Sequence, residues 1–294
     1  MNEPSLIFNK TRIAPTPSGF IHLGNVLSFA VTAALAGQTN AKILLRIDDL
    51  DRERVQEKYV QDIFDTLDFM ELPWHEGPRD VNEYKISYSQ THRMAMYREA
   101  LQQLAAEGDV FACDCSRSTL NAAGQNYQDA CLHKGLPLDA TGVNWRLRNV
   151  PANALTVNTL TNGVAKIDLP GNMRHFVVRK KDGFPAYQLT SLLDDIYFGT
   201  NLVVRGDDLW PSTLAQLYLA TILNHTGFLE TTFHHHRLLA APGGQKLSKS
   251  AGATAVRYLR QQGKKRADVY AEIARMAGIK EQVSNWAELA AYLL

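Results

Sequence analysis

Pro17-Ser18-Gly19-Phe20-Ile21-His22-Leu23-Gly24-Asn25 lies between a short strand, Thr11-Arg12-Ile13-Ala14, and an apolar, small-residue stretch from Val26 to Ala36 that reads as a buried helix. Strand, Pro/Gly turn and helix N-terminus in that order make a phosphate cradle. The first helical turn presents N–H groups without intrahelical acceptors, together with the positive end of the helix dipole. At Gly24 no Cβ stands between a nucleotide and the backbone, and His22 is placed to donate a hydrogen bond to a phosphate oxygen. His22, Gly24 and Asn25 are therefore expected against a nucleotide.

A second motif, Lys246-Leu247-Ser248-Lys249-Ser250, follows Leu238-Leu239-Ala240-Ala241-Pro242-Gly243-Gly244, which reads as an apolar strand end entering a flexible loop. Ammonium groups on a closing loop suit the charge that accumulates on phosphate oxygens during displacement. Taken with the upstream turn, the motif describes one ATP site that activates a carboxylate. His22, Lys246 and Lys249 are the expected catalytic groups, with Lys249 also on ATP.

All three cysteines fall close together, at Cys113, Cys115 and Cys131. Clustering of that kind points to a metal rather than a disulfide, and three thiolates with one further donor suit tetrahedral Zn²⁺ in a reducing compartment. Tyr127 and His133 are both within reach in sequence as the fourth ligand. Generic zinc chemistry favours the imidazole of His133.

At 294 residues with 45% apolar content, the chain can bury a large α/β core with an insertion. No apolar run approaches a membrane span and the start has no secretory character, so a cytoplasmic protein is expected. A net charge of +1 leaves nucleic-acid contact to local patches. Two stand out: Arg174, Arg179, Lys180 and Lys181, and a second made by Arg257, Arg260, Lys264, Lys265 and Arg266. The latter is the better match to a phosphate backbone. Periodicity predicts helices over 54–70, 92–107 and 212–226, and strands at 144–148 and 175–178. His234-His235-His236 reads as part of a strand, whose alternating faces prevent all three from converging on one ligand.

The paired end motifs resemble those of class I aminoacyl-tRNA synthetases, and their surroundings narrow the resemblance to the glutamyl subgroup. Arg12-Ile13-Ala14-Pro15-Thr16, Leu45-Arg46-Ile47-Asp48-Asp49-Leu50-Asp51, Asp182-Gly183-Phe184-Pro185-Ala186-Tyr187-Gln188-Leu189 and Val203-Val204-Arg205-Gly206-Asp207-Asp208-Leu209 carry it through most of the chain. The resemblance implies a Rossmann-like doubly wound parallel sheet with an inserted zinc-bearing α+β lobe and a short helical C-terminal region. Residues 1–108 and 182–240 would be the two halves of the catalytic domain, 109–181 the zinc-binding acceptor lobe, and 241–294 the lysine loop with its helical continuation.

It further implies that Arg12, Tyr187 and Arg205 hold the side-chain carboxylate of L-glutamate while Thr16 and Asp48 bind its α-amino group. Guanidinium forks and a carboxylate beside a hydroxyl suit those two groups. The family typically has glutamate at the position of Asp48, one methylene longer, and Asp49 is a neighbour that could take over the amino contact. Asn25 replaces the histidine or glycine often found there. The stretch from Ala251 to Leu294 is short for the anticodon-binding region of a full glutamyl-tRNA synthetase. Together with the cysteine spacing, this directs the resemblance to the glutamyl-Q tRNA(Asp) synthetases. In that family a tyrosine, here Tyr127, completes the zinc site, and glutamate is attached to queuosine in the anticodon loop of tRNA(Asp). ATP with Mg²⁺ would be a substrate and a monomer is expected. Alternative readings are a compact glutamyl-tRNA synthetase charging tRNA(Glu), a pantothenate-synthetase-like ligase, and a non-catalytic tRNA- or amino-acid-binding paralogue.

Overall fold

A computed structural model describes residues 8–115, 131–148, 154–239 and 254–294. From the N-terminus run β1 (Lys10–Ile13), α1 (Leu23–Thr39), β2 (Lys42–Leu45), α2 (Glu57–Phe69) and α3 (Met94–Ala106). Five strands follow: β3 (Val110–Cys113), β4 (Asn144–Leu147), β5 (Leu155–Thr159), β6 (Gly163–Ile167) and β7 (Val177–Arg179). Next come α4 (Tyr187–Tyr197), β8 (Leu202–Gly206), α5 (Trp210–Ile222), β9 (Thr232–His236), α6 (Val256–Gln261), α7 (Arg266–Met276) and α8 (Trp286–Ala291). They sort into two compact units, one of residues 1–92, 199–208 and 233–294, the other of 93–198 and 209–232.

In the first unit β1 and β2 pair in parallel, from Lys10 opposite Lys42 to Ile13 opposite Leu45. The turn entering β8 is fastened to the start of β1: the Asn201 side-chain oxygen accepts from the Asn9 and Lys10 amides, and the Asn201 N–H donates to the Lys10 carbonyl. Ile43, Leu44 and Leu45 are all buried, the near-continuous apolar run expected of a parallel strand covered on both faces. Helix α1 is buried along most of its length, and Ala30, Ala33 and Ala36 let it lie close to β1, β2 and β8 and under α7 and α8. The edge of β2 meets the chain again at residues 76–77. Leu45 N–H bonds the Glu76 carbonyl at 2.9 Å, and Gly77, at φ +98°, passes so close that a Cβ there would stand 2.2 Å from the Leu45 carbonyl oxygen.

In the second unit β3, β4 and β7 form an antiparallel sheet, Val110 opposite Leu147, while β5 and β6 make a hairpin. Helices α3 and α4 are locked by a buried fork. Arg93 donates to both oxygens of Asp194 at 2.7 and 3.0 Å, and Tyr97 Oη donates to Asp194 at 2.5 Å. Burial, then the Asp194 charge, pushes the Tyr97 hydroxyl well above its usual pKa.

Two predicted strands are shorter than expected. His175 has a left-handed φ of 51°, its ring hydrogen-bonds the Leu147 carbonyl, and the strand begins only at Val177. After β9 the Leu238–Leu239 segment is not a strand. His236 Nδ1 bonds the Arg237 carbonyl, diverting the backbone from ladder pairing, and Leu238 is 41% exposed. His234, His235 and His236 do lie in one strand, as predicted. No helix among the described residues is long and apolar enough to cross a membrane.

Candidate active site

The N-terminus of α1 is built as a cap. His22 is the N-cap residue; its Nδ1 accepts from the Asn25 N–H at 3.3 Å, while the Asn25 side-chain oxygen accepts from the His22 N–H at 3.2 Å. An accepting Nδ1 assigns the proton of the neutral ring to Nε2. Gly24 has an additional reason to be glycine: a Cβ there would stand 3.1 Å from the His22 ring, so its absence makes room for the imidazole. Asn25 is in the first place a capping residue.

The turn before the cap is clamped by elements distant in sequence. Ile21 N–H donates to Asp62 of α2 at 2.7 Å, the Ile21 carbonyl accepts from Val256 N–H at 2.9 Å, and His22 pairs with Ala255 in an antiparallel bridge. Phe20 packs edge-on against Tyr59 and Tyr258, with the Arg257 guanidinium 5.0 Å over its ring. Lys246 and Lys249 lie outside the described residues, but Ala255 and Val256, which follow them closely in sequence, are attached to the His22 turn.

The ends of the parallel strands carry the other expected groups. Arg12 on β1 is buried and donates from Nη1 to the Val204 carbonyl at 3.1 Å, which ties its side chain to the β8 backbone one residue before Arg205. Arg205 is also buried, with its guanidinium 5.4 Å from the Phe233 ring. Past β1 and β2 the two chains stay adjacent, since Arg46 N–H bonds Ile13 O and Asp48 N–H bonds Pro15 O; Thr16 and Asp48 therefore stand side by side. The structure thus brings Arg12, Thr16, His22, Gly24, Asn25, Asp48 and Arg205 into the same unit. Tyr187 opens α4 of the other unit and is 39% exposed.

The sequence reading gave no role to Arg46. It grips Asp48 with a buried fork, Nε to Oδ1 at 2.8 Å and Nη2 to Oδ2 at 3.1 Å. Asp49 is committed elsewhere: it accepts from Tyr84 Oη, Ser89 Oγ and the Gln90 N–H at 2.6, 2.5 and 2.9 Å. A cavity of about 400 Å³ opens beside Asp49, bordered by Arg52, Tyr84, Lys85 and Thr91; apart from Asp49, none of the residues named for glutamate or ATP lines it.

Of the second basic patch, Arg257 covers Phe20, Arg260 donates to the Asp65 carbonyl and covers Phe69, and Arg266 pairs with Glu71. These three arginines hold α6 and α7 to the rest of the unit, leaving Lys264 and Lys265 as the patch's exposed cations.

In the second unit the Cys113, Cys115 and Cys131 sulfurs lie within 4.8 Å of one another, buried and not disulfide-bonded, with Phe111 and Leu132 packed against them. Ligands at 2.3 Å from a tetrahedral zinc are about 3.8 Å apart, so the donor set fits that metal. Burial raises the Cys113 thiol, but the Cys115 N–H and Arg146 outweigh it and hold Cys113 below its usual range. Burial and the neighbouring cysteines push Cys131 up to about 12. His133 is exposed and is not part of the group, and Tyr127 lies outside the described residues.

Residues 9–288 match the family of class I tRNA synthetases (E and Q), catalytic domain. The chain belongs to that family. Its relatives include a glutamate–tRNA ligase of Dehalococcoides mccartyi, 33% identical over 264 residues, covering 86% of this chain and 53% of the ligase. A glutamyl-Q tRNA(Asp) synthetase of Symbiobacterium thermophilum is 33% identical over 286 residues, covering 92% and 87%. The glutamate–tRNA synthetase structure from Elizabethkingia anophelis superposes with a TM-score of 0.72 at 20% identity, covering 96% of this chain and 65% of that one, and shows the class I synthetase fold. The chain spans about half the length of the glutamate–tRNA ligases it matches.

Proposed function

We propose that the chain activates L-glutamate with ATP and transfers the glutamyl group to queuosine in the anticodon loop of tRNA(Asp). The observation that carries the first half is the pair of buried guanidiniums on adjacent strands, Arg12 and Arg205, beside a helix N-terminus capped by His22. Two fixed arginines in a low-dielectric site suit a side-chain carboxylate. In this reading Thr16 and Asp48 take the α-ammonium, and the substrate α-carboxylate is left to react.

That carboxylate attacks the α-phosphorus of ATP, pyrophosphate leaves, and the mixed anhydride then acylates a hydroxyl of the modified base, releasing AMP. No protein nucleophile is needed; the protein positions reactants and neutralises phosphate charge. His22 Nε2 and the first amides of α1, with Gly24 and Asn25, serve the phosphates, and Lys246 and Lys249 the departing pyrophosphate. Attachment of Ala255 and Val256 to the His22 turn, a few residues after these lysines in sequence, supports their acting at this turn. Mg²⁺ would enter with ATP. Zn²⁺ held by Cys113, Cys115, Cys131 and Tyr127 would contribute folding energy to the 109–181 lobe and no chemistry.

The queuosine acceptor is supported by the name of the Symbiobacterium relative, matched over most of both chains. Charging of tRNA(Glu) is the second reading, favoured by glutamate–tRNA ligases at the same identity. Glutamate-dependent ATP–pyrophosphate exchange, followed by transfer to tRNA(Asp) with and without queuosine, separates them. Exchange without tRNA and queuosine-dependent transfer are expected. Transfer to the 3′ end of tRNA(Glu) would replace the first reading by the second, and absence of exchange with any amino acid would sink both.

A further inference from the structure

Asp62 is the one carboxylate of α2 that faces inward among Val60, Ile63, Phe64 and Leu67, and it is 1% exposed. A buried aspartate on an apolar helix face costs stability unless its oxygens are bonded. Only half of that requirement is met. Oδ2 accepts the Ile21 N–H at 2.7 Å, whereas Oδ1 has no hydrogen-bond partner among the described residues.

The single bond it makes reaches the residue before the N-cap of α1. Ile21 is held through its N–H by Asp62 and through its carbonyl by Val256, so one peptide unit on each side is fixed from a different element. Arg257 and Arg260 on α6, and Asp65 on α2, are the charged groups that act on Asp62; burial outweighs them and raises its pKa. Helix α6 is in turn seated on α2 by Arg260, which donates to the Asp65 carbonyl and covers Phe69.

We infer that Asp62 is a positioning residue of the nucleotide site: by anchoring the Ile21 amide it sets the direction in which His22 and the first turn of α1 face a phosphate. It touches no substrate. Arg12 and Arg205 sit on β1 and β8, which Asp62 does not contact through any bond described above, so its effect belongs to ATP and not to glutamate. The inference rests on the ATP reading of the His22 turn.

The test uses the full chain and three variants, with ATP affinity measured by calorimetry and both KM values by exchange. Asp62→Leu removes the acceptor at similar volume and should weaken ATP binding about tenfold while changing the glutamate KM less than twofold, a loss of the size of one charge-assisted hydrogen bond. Asp62→Asn keeps an oxygen for Ile21 and should stay within about threefold of wild type. If Asp62→Leu does not fold, Asp62→Ala, which leaves room for a water, carries the comparison, with a loss of about three- to fivefold expected. A folded Leu or Ala variant that melts earlier yet binds ATP like wild type, or whose two KM values rise together, would reduce Asp62 to a structural residue and overturn the inference. Wild type that binds ATP but shows no exchange would refute the proposed function and leave this comparison of affinities standing. Wild type that does not bind ATP would overturn both.

Discussion

Arg46 and Asp48 show how much a single side chain can alter the reading of a motif. Alternation along an extended chain puts residues two apart on the same side, so a guanidinium facing Asp48 was legible in the sequence. The motif assigned Asp48 directly to a ligand, and its intramolecular partner went unread. The shorter carboxylate has both oxygens occupied by the Arg46 fork, so any ammonium it binds meets an already oriented pair. Arg46→Met would strand a buried carboxylate, which responds by taking up a proton. We expect a stability loss of about 3–5 kcal/mol by denaturant unfolding and a glutamate KM raised roughly tenfold with ATP affinity unchanged. An unaltered glutamate KM in a folded variant would remove Asp48 from the ammonium site.

At the scale of elements, the helices were legible because their apolar spacing is local: 57–69 lies within the predicted 54–70, and 94–106 within 92–107. The errors lie where a tertiary hydrogen bond reshapes the backbone, as at His175, which propensity does not register. The capping box of α1 was hidden for another reason, since His and Asn in those places also suit a phosphate. Asn25→Ala should cost about 1 kcal/mol and lower the melting temperature by roughly 2–4 °C. Gly24→Ala presses a methyl against the His22 ring, and should raise the ATP KM with little change in melting. If ATP KM holds in Gly24→Ala, His22 does not face the phosphates.

At the scale of the whole molecule, the first unit is assembled from three separate segments, 1–92, 199–208 and 233–294. The sequence reading likewise joined 1–108 and 182–240 as two halves of one domain, because the motifs that carry the resemblance lie on both sides of the 109–181 lobe. One global consequence is acid sensitivity. Burial depresses His234, His235 and His236, with His235 pushed down to about 3 by burial and then Arg205. Folding keeps them neutral, so their contribution is complete above pH 6.5 and is lost as pH falls toward the folded values. Asp62, raised, works in the opposite direction as pH falls. Melting temperatures measured between pH 7 and 4 should decline, and His235→Gln should flatten part of that decline; a parallel curve would absolve the histidine. In the other unit Cys131→Ser should abolish bound zinc by elemental analysis and lower the melting temperature, whereas undiminished zinc would require a different donor set. Mutational tolerance follows from yet another place. At Gly77 any side chain would drive into the Leu45 carbonyl and wedge β2 outward just ahead of Arg46 and Asp48. In a scan of all substitutions this glycine should be among the least tolerant positions, because the missing methyl at residue 77 is the spacer that lets residues 76–77 lie against β2.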